Sequence, residues 1–362
     1  MTWQGPYALS AFGSGLRYWS GGGTLSVAQA IFDQSMGWSG WYLDPRFVWN
    51  LSGTFTGISN FKIESDMIGS IGWNGNVSYG VGYVNVGTAL DGIAVAGATI
   101  GDAQGLLFEG LVLVGNNSNC PFHYGGGQRN CLLRDVLVVN NSTSPTSYGI
   151  IVDTALQGAR NSEDQLFDRV MVVAYNPIGI GIANGAQQAN DTLWNAVTTA
   201  CTGPGSAITN AGSGANHTFV NFYDRTAAGV GVAATILNTG TGSMYFRGGE
   251  LLNNNRAAGA LVISSTGGGA IVLDGAATTA VTGPTNTVSL TAGRITVRNR
   301  SAPKGTWHLG AAGCSVDIAD TSNSCGSMTI TGAAGDLVMF AAASYVGGAP
   351  TVTGFTGTTI NP

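Results

Sequence analysis

Two carboxylates, Asp224 and Glu250, are the residues of this sequence best placed for chemistry. Each follows by five positions an aromatic residue, Phe219 or Tyr245, that begins one copy of a repeated pattern. If successive copies stack as neighbouring strands, about 4.8 Å apart, the two carboxylates lie one above the other. Like charges so close together raise one pKa, which suits a general acid beside an ionised partner, in the geometry of a retaining glycosidase. We therefore expect Glu250 to be the acid/base and Asp224 the nucleophile or base.

Nearby arginines leave a second role open for the same carboxylates. Arg225, Arg247 and Arg256 could each form an ordinary ion pair with one of them. If the site is functional, these arginines and Tyr245 are the candidate substrate-binding residues.

Asp191 and His217 form a second candidate pair, because each lies two residues before the start of a pattern copy. One strand apart, a carboxylate can orient an imidazole for proton transfer. Asp and Asn at the entry of a strand also satisfy turn amides, so a structural role for Asp191 stays open. The sequence holds no clustered metal ligands, and we expect neither a metal nor a cofactor.

The elements that must position these residues come from a repeat that runs from Leu107 to Gly275. Its unit is two apolar residues, two polar or small residues and a further apolar run, and the copies begin at Leu107, Leu132, Leu166, Leu193, Phe219, Tyr245 and Ile271. The starts are separated by 25, 34, 27, 26, 26 and 26 positions. Short apolar runs bounded by Gly, Asn, Ser and Thr predict strands, and a period of roughly 20 to 50 residues indicates a solenoid.

The segments that begin at Phe108, Leu133 and Phe167 resemble rungs of the right-handed parallel β-helix in pectate-lyase-like proteins and phage tailspikes. The resemblance covers about residues 25–300 and implies an all-β, single-stranded parallel β-helix. It implies that the residue before each polar pair points inward, together with the residues one and three places after the pair. The inward set is then Phe108, Leu133, Phe167, Trp194, Val220 and Phe246, with Leu111, Val136, Val170, Val197 and Tyr223 beside them.

Three segments follow from this assignment. Residues 1–23 are rich in Gly and Ser and are interpreted as an arm or linker, and residues 24–300 as the β-helix. The spacing of apolar residues over Leu25–Gln34 predicts an amphipathic helix, capped by Thr24 or Ser26, that closes the N-terminal end. Residues 301–362 are expected to form a small C-terminal β cap or oligomerisation region.

The same parity turns one apolar column outward: Leu107, Leu132, Leu166, Leu193, Phe219 and Tyr245. Exposure of such a stripe to water is unfavourable, and symmetric self-association commonly covers it. We expect a homotrimer, as in tailspikes. The alternative is that the parity is wrong by one residue and the column is core.

Arg134-Asp135 and Asp168-Arg169 carry the same charges in reversed order on successive copies. This order lets the charges pair diagonally, which indicates a structural role.

Five cysteines are present, and Cys120 and Cys131, like Cys314 and Cys325, are eleven positions apart. Loop disulfides are possible, but the odd count and wide spacing favour buried thiols.

The composition limits the classes of partner that this chain is expected to bind. The net charge is −5, and the 14 Lys and Arg residues form no basic patch, which argues against nucleic acid. The sequence has no run of 18 apolar residues and no visible signal peptide, so we expect no membrane insertion and either a virion tail protein or a mature extracellular one. The resemblance implies a polysaccharide partner and a tailspike-like depolymerase. A polysaccharide lyase and a non-catalytic receptor-binding β-helix are the alternatives.

Overall fold

A computed structural model shows an all-β chain in which parallel strands stack as a solenoid. The structure describes residues 119–126, 128–153, 162–182, 189–213, 216–227, 230, 233–251, 261–275, 286–298, 305–310, 313–318, 328–340, 351–355 and 358–360, and before residue 119 it describes only the strands. The predicted fold class, a parallel β-helix, is confirmed.

The strands in the first part of the chain are β1 Leu16–Trp19, β2 Gly23–Ser26, β3 Gly40–Leu43, β4 Val48–Ser52, β5 Ile58–Ser59, β6 Phe61–Glu64, β7 Ser70–Asn74, β8 Tyr83–Val86, β9 Asp91–Ala96, β10 Ala103–Gln104, β11 Leu107–Glu109, β12 Val112–Gly115, β13 Cys120–Tyr124, β14 Gln128–Arg129, β15 Leu132–Asn140, β16 Tyr148–Val152, β17 Ser162–Glu163 and β18 Leu166–Ala174. They continue as β19 Asn176–Ile180, β20 Ala189–Asn190, β21 Thr192–Asn195, β22 Thr198–Cys201, β23 Ile208–Asn210, β24 His217–Asp224, β25 Ile236–Asn238, β26 Met244–Glu250, β27 Ile263–Ser265, β28 Ala270–Asp274, β29 Asn286–Leu290, β30 Arg294–Arg298, β31 Gly305–Leu309, β32 Ser315–Ile318, β33 Met328–Gly332, β34 Leu337–Phe340, β35 Thr351–Phe355 and β36 Thr358–Ile360.

Each turn of the solenoid, here called a rung, crosses a first sheet and then a second sheet. The first sheet contains β15, β18, β24 and β26, and the second contains β16, β19, β23 and β25. A short sheet of β10, β14, β17 and β20 adds a third side to four rungs. Among the described strands, pairing is parallel except where β8 pairs antiparallel with β7 and β9.

The interior of the first sheet is a file of stacked side chains. Phe108, Leu133, Phe167 and Trp194 are direct partners in the strand register. The rings of Phe167 and Trp194 stack with centroids 3.8 Å apart, and those of Phe219 and Phe246 with centroids 4.7 Å apart. Residues about one repeat apart therefore lie over one another, as the sequence predicts.

The polar pair of the repeat marks a corner of the first sheet. Its second residue has a left-handed backbone in successive rungs: Asp135 (φ 54°), Arg169 (φ 52°), Ala196 (φ 51°), Asn221 (φ 52°), Gly248 (φ 66°) and Gly275 (φ 69°). Asp, Asn and Gly adopt this conformation most readily. The corner turns the strand so that a residue two places before it and the residue just after it both point inward, as Leu133 and Val136 do.

The predicted stacking of the repeat copies is wrong by one residue at β24. Phe219 is the register partner of Trp194, not of Leu193, because this rung is 25 residues long and its corner falls at Asn221. Phe219 and Phe222 are fully buried. Val220 and Tyr223, which the sequence predicts to be inward, are therefore on the outer face.

An apolar stripe does face outward before the corner. Leu132 and Leu166 are half-buried and Leu193 is 38% exposed, so their predicted outward parity is confirmed. Past the corner, Met171 is 43% exposed. The stripe ends at Thr218, which takes the place predicted for Phe219.

The strand pairing bears on the segments predicted at the two ends of the chain. Strand β1 lies within the predicted arm and pairs with β3, and β2 includes Leu25 and Ser26 of the predicted capping helix. Residues 27–34 of that helix lie outside the described residues. Past residue 300, β31, β33 and β35 extend the second sheet, and β32, β34 and β36 extend the first. The strand pairing therefore continues across the predicted boundary, and the oligomerisation role stays a prediction.

The cysteines that the structure describes are buried thiols, at Cys120, Cys131, Cys201 and Cys314. Cys325 lies outside the described residues. The expectation of buried thiols holds for these four positions.

Candidate functional site

Asp224 points into the core and serves the backbone beside it. It is fully buried, on the inner side of β24 opposite Thr199. Its Oδ1 accepts hydrogen bonds from the Thr226 amide (3.2 Å) and hydroxyl (2.7 Å), and its Oδ2 accepts one from the Thr235 hydroxyl (3.5 Å). A polymer cannot reach this carboxylate, so the predicted nucleophile or base is a structural residue.

Glu250 lies on the outer face, with Tyr223 as its register partner on β24. The prediction that Glu250 shares a column with Asp224 is wrong, because the one-residue shift at β24 turns Asp224 inward. Arg225 Nη1 donates a hydrogen bond to Glu250 Oε2, and the guanidinium lies 5.1 Å from the centre of the Tyr223 ring. The ion pair that the sequence left open as an alternative is therefore formed. We call Tyr223, Arg225 and Glu250 the Tyr223 patch.

The patch is accessible, with Tyr223 on β24, Glu250 on β26 and Arg225 directly after β24. The Arg225 and Glu250 side chains are 51% and 26% exposed, and Tyr223 is half-buried. Tyr245 and Arg247 lie on β26 before the corner, Tyr245 half-buried and Arg247 exposed, on the adjoining facet of the same face. Arg256 lies outside the described residues. The patch presents an aromatic ring, a cation and a carboxylate to solvent within two adjacent strands.

Asp191 and His217 are not one strand apart in register, since His217 pairs with Thr192. His217 is fully buried, and within the described residues neither ring nitrogen has a hydrogen-bond partner. Burial lowers the pKa of His217 to about 4, and the charge of Asp191 acts in the opposite direction. The predicted proton-transfer pair is therefore wrong: an enclosed neutral imidazole does not face substrate.

Asp191 takes the alternative role that the sequence left open. It is exposed, has a left-handed backbone (φ 49°) and accepts a hydrogen bond from Asn216 Nδ2 at 3.0 Å. Asn130, Asp164 and Asn216 are left-handed at equivalent strand entries, with φ of 52°, 55° and 64°. This column turns the chain into the first sheet.

Charges also pair across rungs at the corner, as the reversed order of Arg134-Asp135 and Asp168-Arg169 predicts. Arg169 donates from Nε and Nη2 to the two oxygens of Asp135 (2.7 and 2.8 Å) and from Nη1 to Asp168 (2.6 Å). The hydrogen bond from Arg169 lowers the pKa of Asp135. These side chains are engaged with one another and hold the corner.

A carboxylate and an imidazole that the sequence did not bring together meet inside the second sheet. His123 Nε2 and Asp153 Oδ1 are 2.7 Å apart, and both side chains are only 2% exposed. They lie 30 positions apart, on β13 and directly after β16, and these second-sheet strands are not part of the repeated first-sheet pattern, so the repeat gives no signal for the pair. Their burial keeps them from a polymer.

Among the described residues, no group of three or more His, Cys, Asp or Glu side chains could hold a metal ion. In the same part of the chain, no helix has the length and hydropathy needed to cross a membrane.

Comparison of the chain with protein families, with curated proteins and with solved structures finds no match.

Proposed function

We propose that this chain is a polysaccharide-binding β-solenoid of a virion tail or an extracellular structure, and that the glycan lies on the outer face of the first sheet. The observation that carries the proposal is the Tyr223 patch, in which an aromatic ring, a guanidinium and a carboxylate lie together at the surface. Resemblance of the rungs to tailspikes supports the same class of ligand.

The chemistry of the patch fits a sugar. The apolar face of a pyranose can pack on an aromatic ring, and its vicinal hydroxyls match the fixed donors of Arg and the paired acceptors of Glu. Because the strands repeat at about 4.8 Å, the face offers a linear polymer contacts on successive rungs. Tyr245 and Arg247 extend the contact surface along β26.

Binding is proposed in place of hydrolysis. Paired-carboxylate catalysis needs two acids that face one substrate. Asp224 is buried and Glu250 is bound to Arg225. The two predicted catalytic carboxylates therefore lie on opposite faces of the first sheet. The described residues offer no alternative pair of open acids at this patch.

We also propose that the chain forms a homotrimer through the outward stripe of Leu132, Leu166 and Leu193, which a second copy would cover. This stripe lies before the corner, whereas the Tyr223 patch lies past the corner on later rungs, so the glycan and the second copy would use different parts of the outer face. Sedimentation should give three times the chain mass of 36.8 kDa. Leu193→Lys should shift the protein to monomers because it places a charge in the contact. A monomeric wild-type protein at micromolar concentration contradicts the trimer.

A glycan array tests the binding function. The wild-type chain should bind one class of polysaccharide, and Tyr223→Ala and Arg225→Ala should each weaken that binding at least tenfold. Arg294→Ala is the matched control, because Arg294 forms an ion pair with Asp317 (3.0 Å) at similar exposure, 49% and 20%, on β30 and β32. It should bind as the wild type does.

The same glycans test for turnover. No shortening of the bound polysaccharide is expected after prolonged incubation with wild-type protein. Shortening without new ultraviolet absorbance would reinstate a hydrolase, and absorbance from unsaturated ends would indicate a lyase. Binding by none of the array glycans refutes the proposal.

A further inference from the structure

A cavity of about 330 Å³ opens at the end of the first sheet, where the chain turns toward the second sheet. It is lined by Asn141, Thr143, Tyr175, Thr202, Gly203 and Pro204. These residues follow β15, β18 and β22 directly, so three successive rungs build one cavity. We call it the Tyr175 cavity.

We infer that the Tyr175 cavity is a subsite for one uncharged sugar residue. This inference rests on the proposed polysaccharide-binding function and names a second contact point for the same ligand. It adds the charge class of the sugar, which the Tyr223 patch does not define.

The lining chemistry favours an uncharged polyhydroxylated ligand. The cavity presents an amide, two aliphatic hydroxyls and a phenol, and no charged residue lines it. Asn141, Thr143 and Thr202 are exposed, so their polar groups are open to a ligand. A sulfate, phosphate or uronate would find no counter-charge there. The volume lies at the small end of ligand pockets, which suits one sugar unit with the rest of the chain outside.

The aromatic wall is held in place by the next rung. Tyr175 packs on Gly203, where an added Cβ would lie 2.6 Å from the Cδ2 and Cε2 atoms of the ring. Glycine at this position therefore lets the ring lie against the backbone. The ring reaches a ligand without first having to be ordered, which reduces the entropic cost of binding.

Buried amides tie the three turns together. Asn176 Nδ2 donates to the carbonyls of Pro145 (2.9 Å) and Ser147 (3.1 Å), and its Oδ1 accepts from the Ser206 amide (3.1 Å). Asn140 stabilises the first turn itself: its Nδ2 donates to the Tyr148 carbonyl (2.7 Å), and its Oδ1 accepts from the Ser142 amide (3.1 Å). The cavity is therefore preorganised by hydrogen bonds that span successive rungs.

The cavity also adjoins the Tyr223 patch. Thr202 follows β22, which pairs with β24 in register, and the Cys201 amide donates to the Thr226 hydroxyl next to Arg225 (3.0 Å). Arg225 is therefore one rung beyond the last lining turn, on the same end of the sheet. One linear glycan can contact the cavity and the patch together.

Point variants test the subsite against the glycan found on the array. Tyr175→Ala should lower affinity at least tenfold, and Tyr175→Phe should retain it because the ring remains. Gly203→Ala should lower affinity because its methyl displaces the ring, and Thr202→Val should lower it without altering the fold. Thermal unfolding of each variant identifies any that fails to fold. Tyr148→Phe, a change at a buried tyrosine outside the cavity, is the control and should bind normally.

Saturation-transfer NMR with free glucose, galactose, N-acetylglucosamine and galacturonic acid gives an independent readout. The saturation that an uncharged sugar receives from the wild type should fall in Tyr175→Ala. In Tyr223→Ala the cavity should still transfer saturation, and the double variant should transfer none. If the array glycan is lost with Tyr223→Ala but not with folded Tyr175→Ala or Thr202→Val, the cavity inference fails and the binding function stands. If no glycan or sugar binds the wild type, both fail. Preference for galacturonic acid in Tyr223→Ala, which keeps the cavity but not the patch, overturns the uncharged class.

Discussion

Tyr223 and Glu250 are register partners on adjacent strands, and Arg225 joins them by binding the Glu250 carboxylate and lying 5.1 Å from the Tyr223 ring centre. Asp224, between Tyr223 and Arg225 in the sequence, faces the opposite side of the sheet. Adjacent residues of one strand thus serve different purposes: Asp224 stabilises the core, and its two neighbours form the proposed binding patch.

Asp224 should matter for stability more than for binding. Asp224→Ala removes the acceptor of the buried Thr226 amide and hydroxyl, which should lower the free energy of unfolding by about 2 kcal/mol or more. Glu250→Gln, at an exposed ion pair, should change it by less than about 1 kcal/mol. Urea denaturation measures both. Equal losses for the two variants would contradict the assignment of Asp224 to the core.

His217 should make the protein sensitive to acid. Its pKa is about 4 in the folded state and about 6.5 when unfolded, so the unfolded chain binds more protons between these values. The contribution of His217 is fully present above pH 6.5 and is lost as the pH falls toward 4, by about 3 kcal/mol. Urea denaturation across this window should show the loss in the wild type and a much smaller one in His217→Leu.

The control for acid sensitivity is His308→Gln, at an exposed histidine on β31. This variant should keep the wild-type dependence on pH. A wild-type slope that survives in His217→Leu would show that other groups cause it.

Ala196 should be improved by glycine. Its φ is 51°, in the left-handed region that costs a residue with a Cβ roughly 1 kcal/mol. Gly248 and Gly275 occupy the same corner in later rungs. Ala196→Gly should therefore raise the melting temperature. Ala200→Gly, within the extended strand β22, is the control and should lower it.

Gly249 should tolerate no side chain. Its φ is 85°, and an added Cβ would lie 2.1 Å from the Phe222 carbonyl oxygen. Gly249→Ala should destabilise the protein by at least about 2 kcal/mol, from backbone strain and overlap together. At Gly268 the nearest atom to an added Cβ is 3.9 Å away, so Gly268→Ala should be nearly neutral in the same thermal unfolding experiment.

The repeat alone was sufficient to predict the parallel solenoid, the file of Phe108, Leu133, Phe167 and Trp194, and the outward leucines. A regular period carries this information because one stacked register satisfies every copy at once. The cross-rung ion pair between Arg169 and Asp135 was predictable for the same reason, since the two residues lie at equivalent positions of two copies.

Tertiary structure decided which face each residue of β24 occupies. The alternation of side chains in a strand has a period of two, so the one-residue shortening of this rung exchanged Asp224 and Tyr223 between core and surface. The tertiary structure also created the Tyr175 cavity. Its walls come from turns that lie on successive rungs and are joined by Asn176. Loop residues follow no repeat, and only the stacked backbone shows which of them meet.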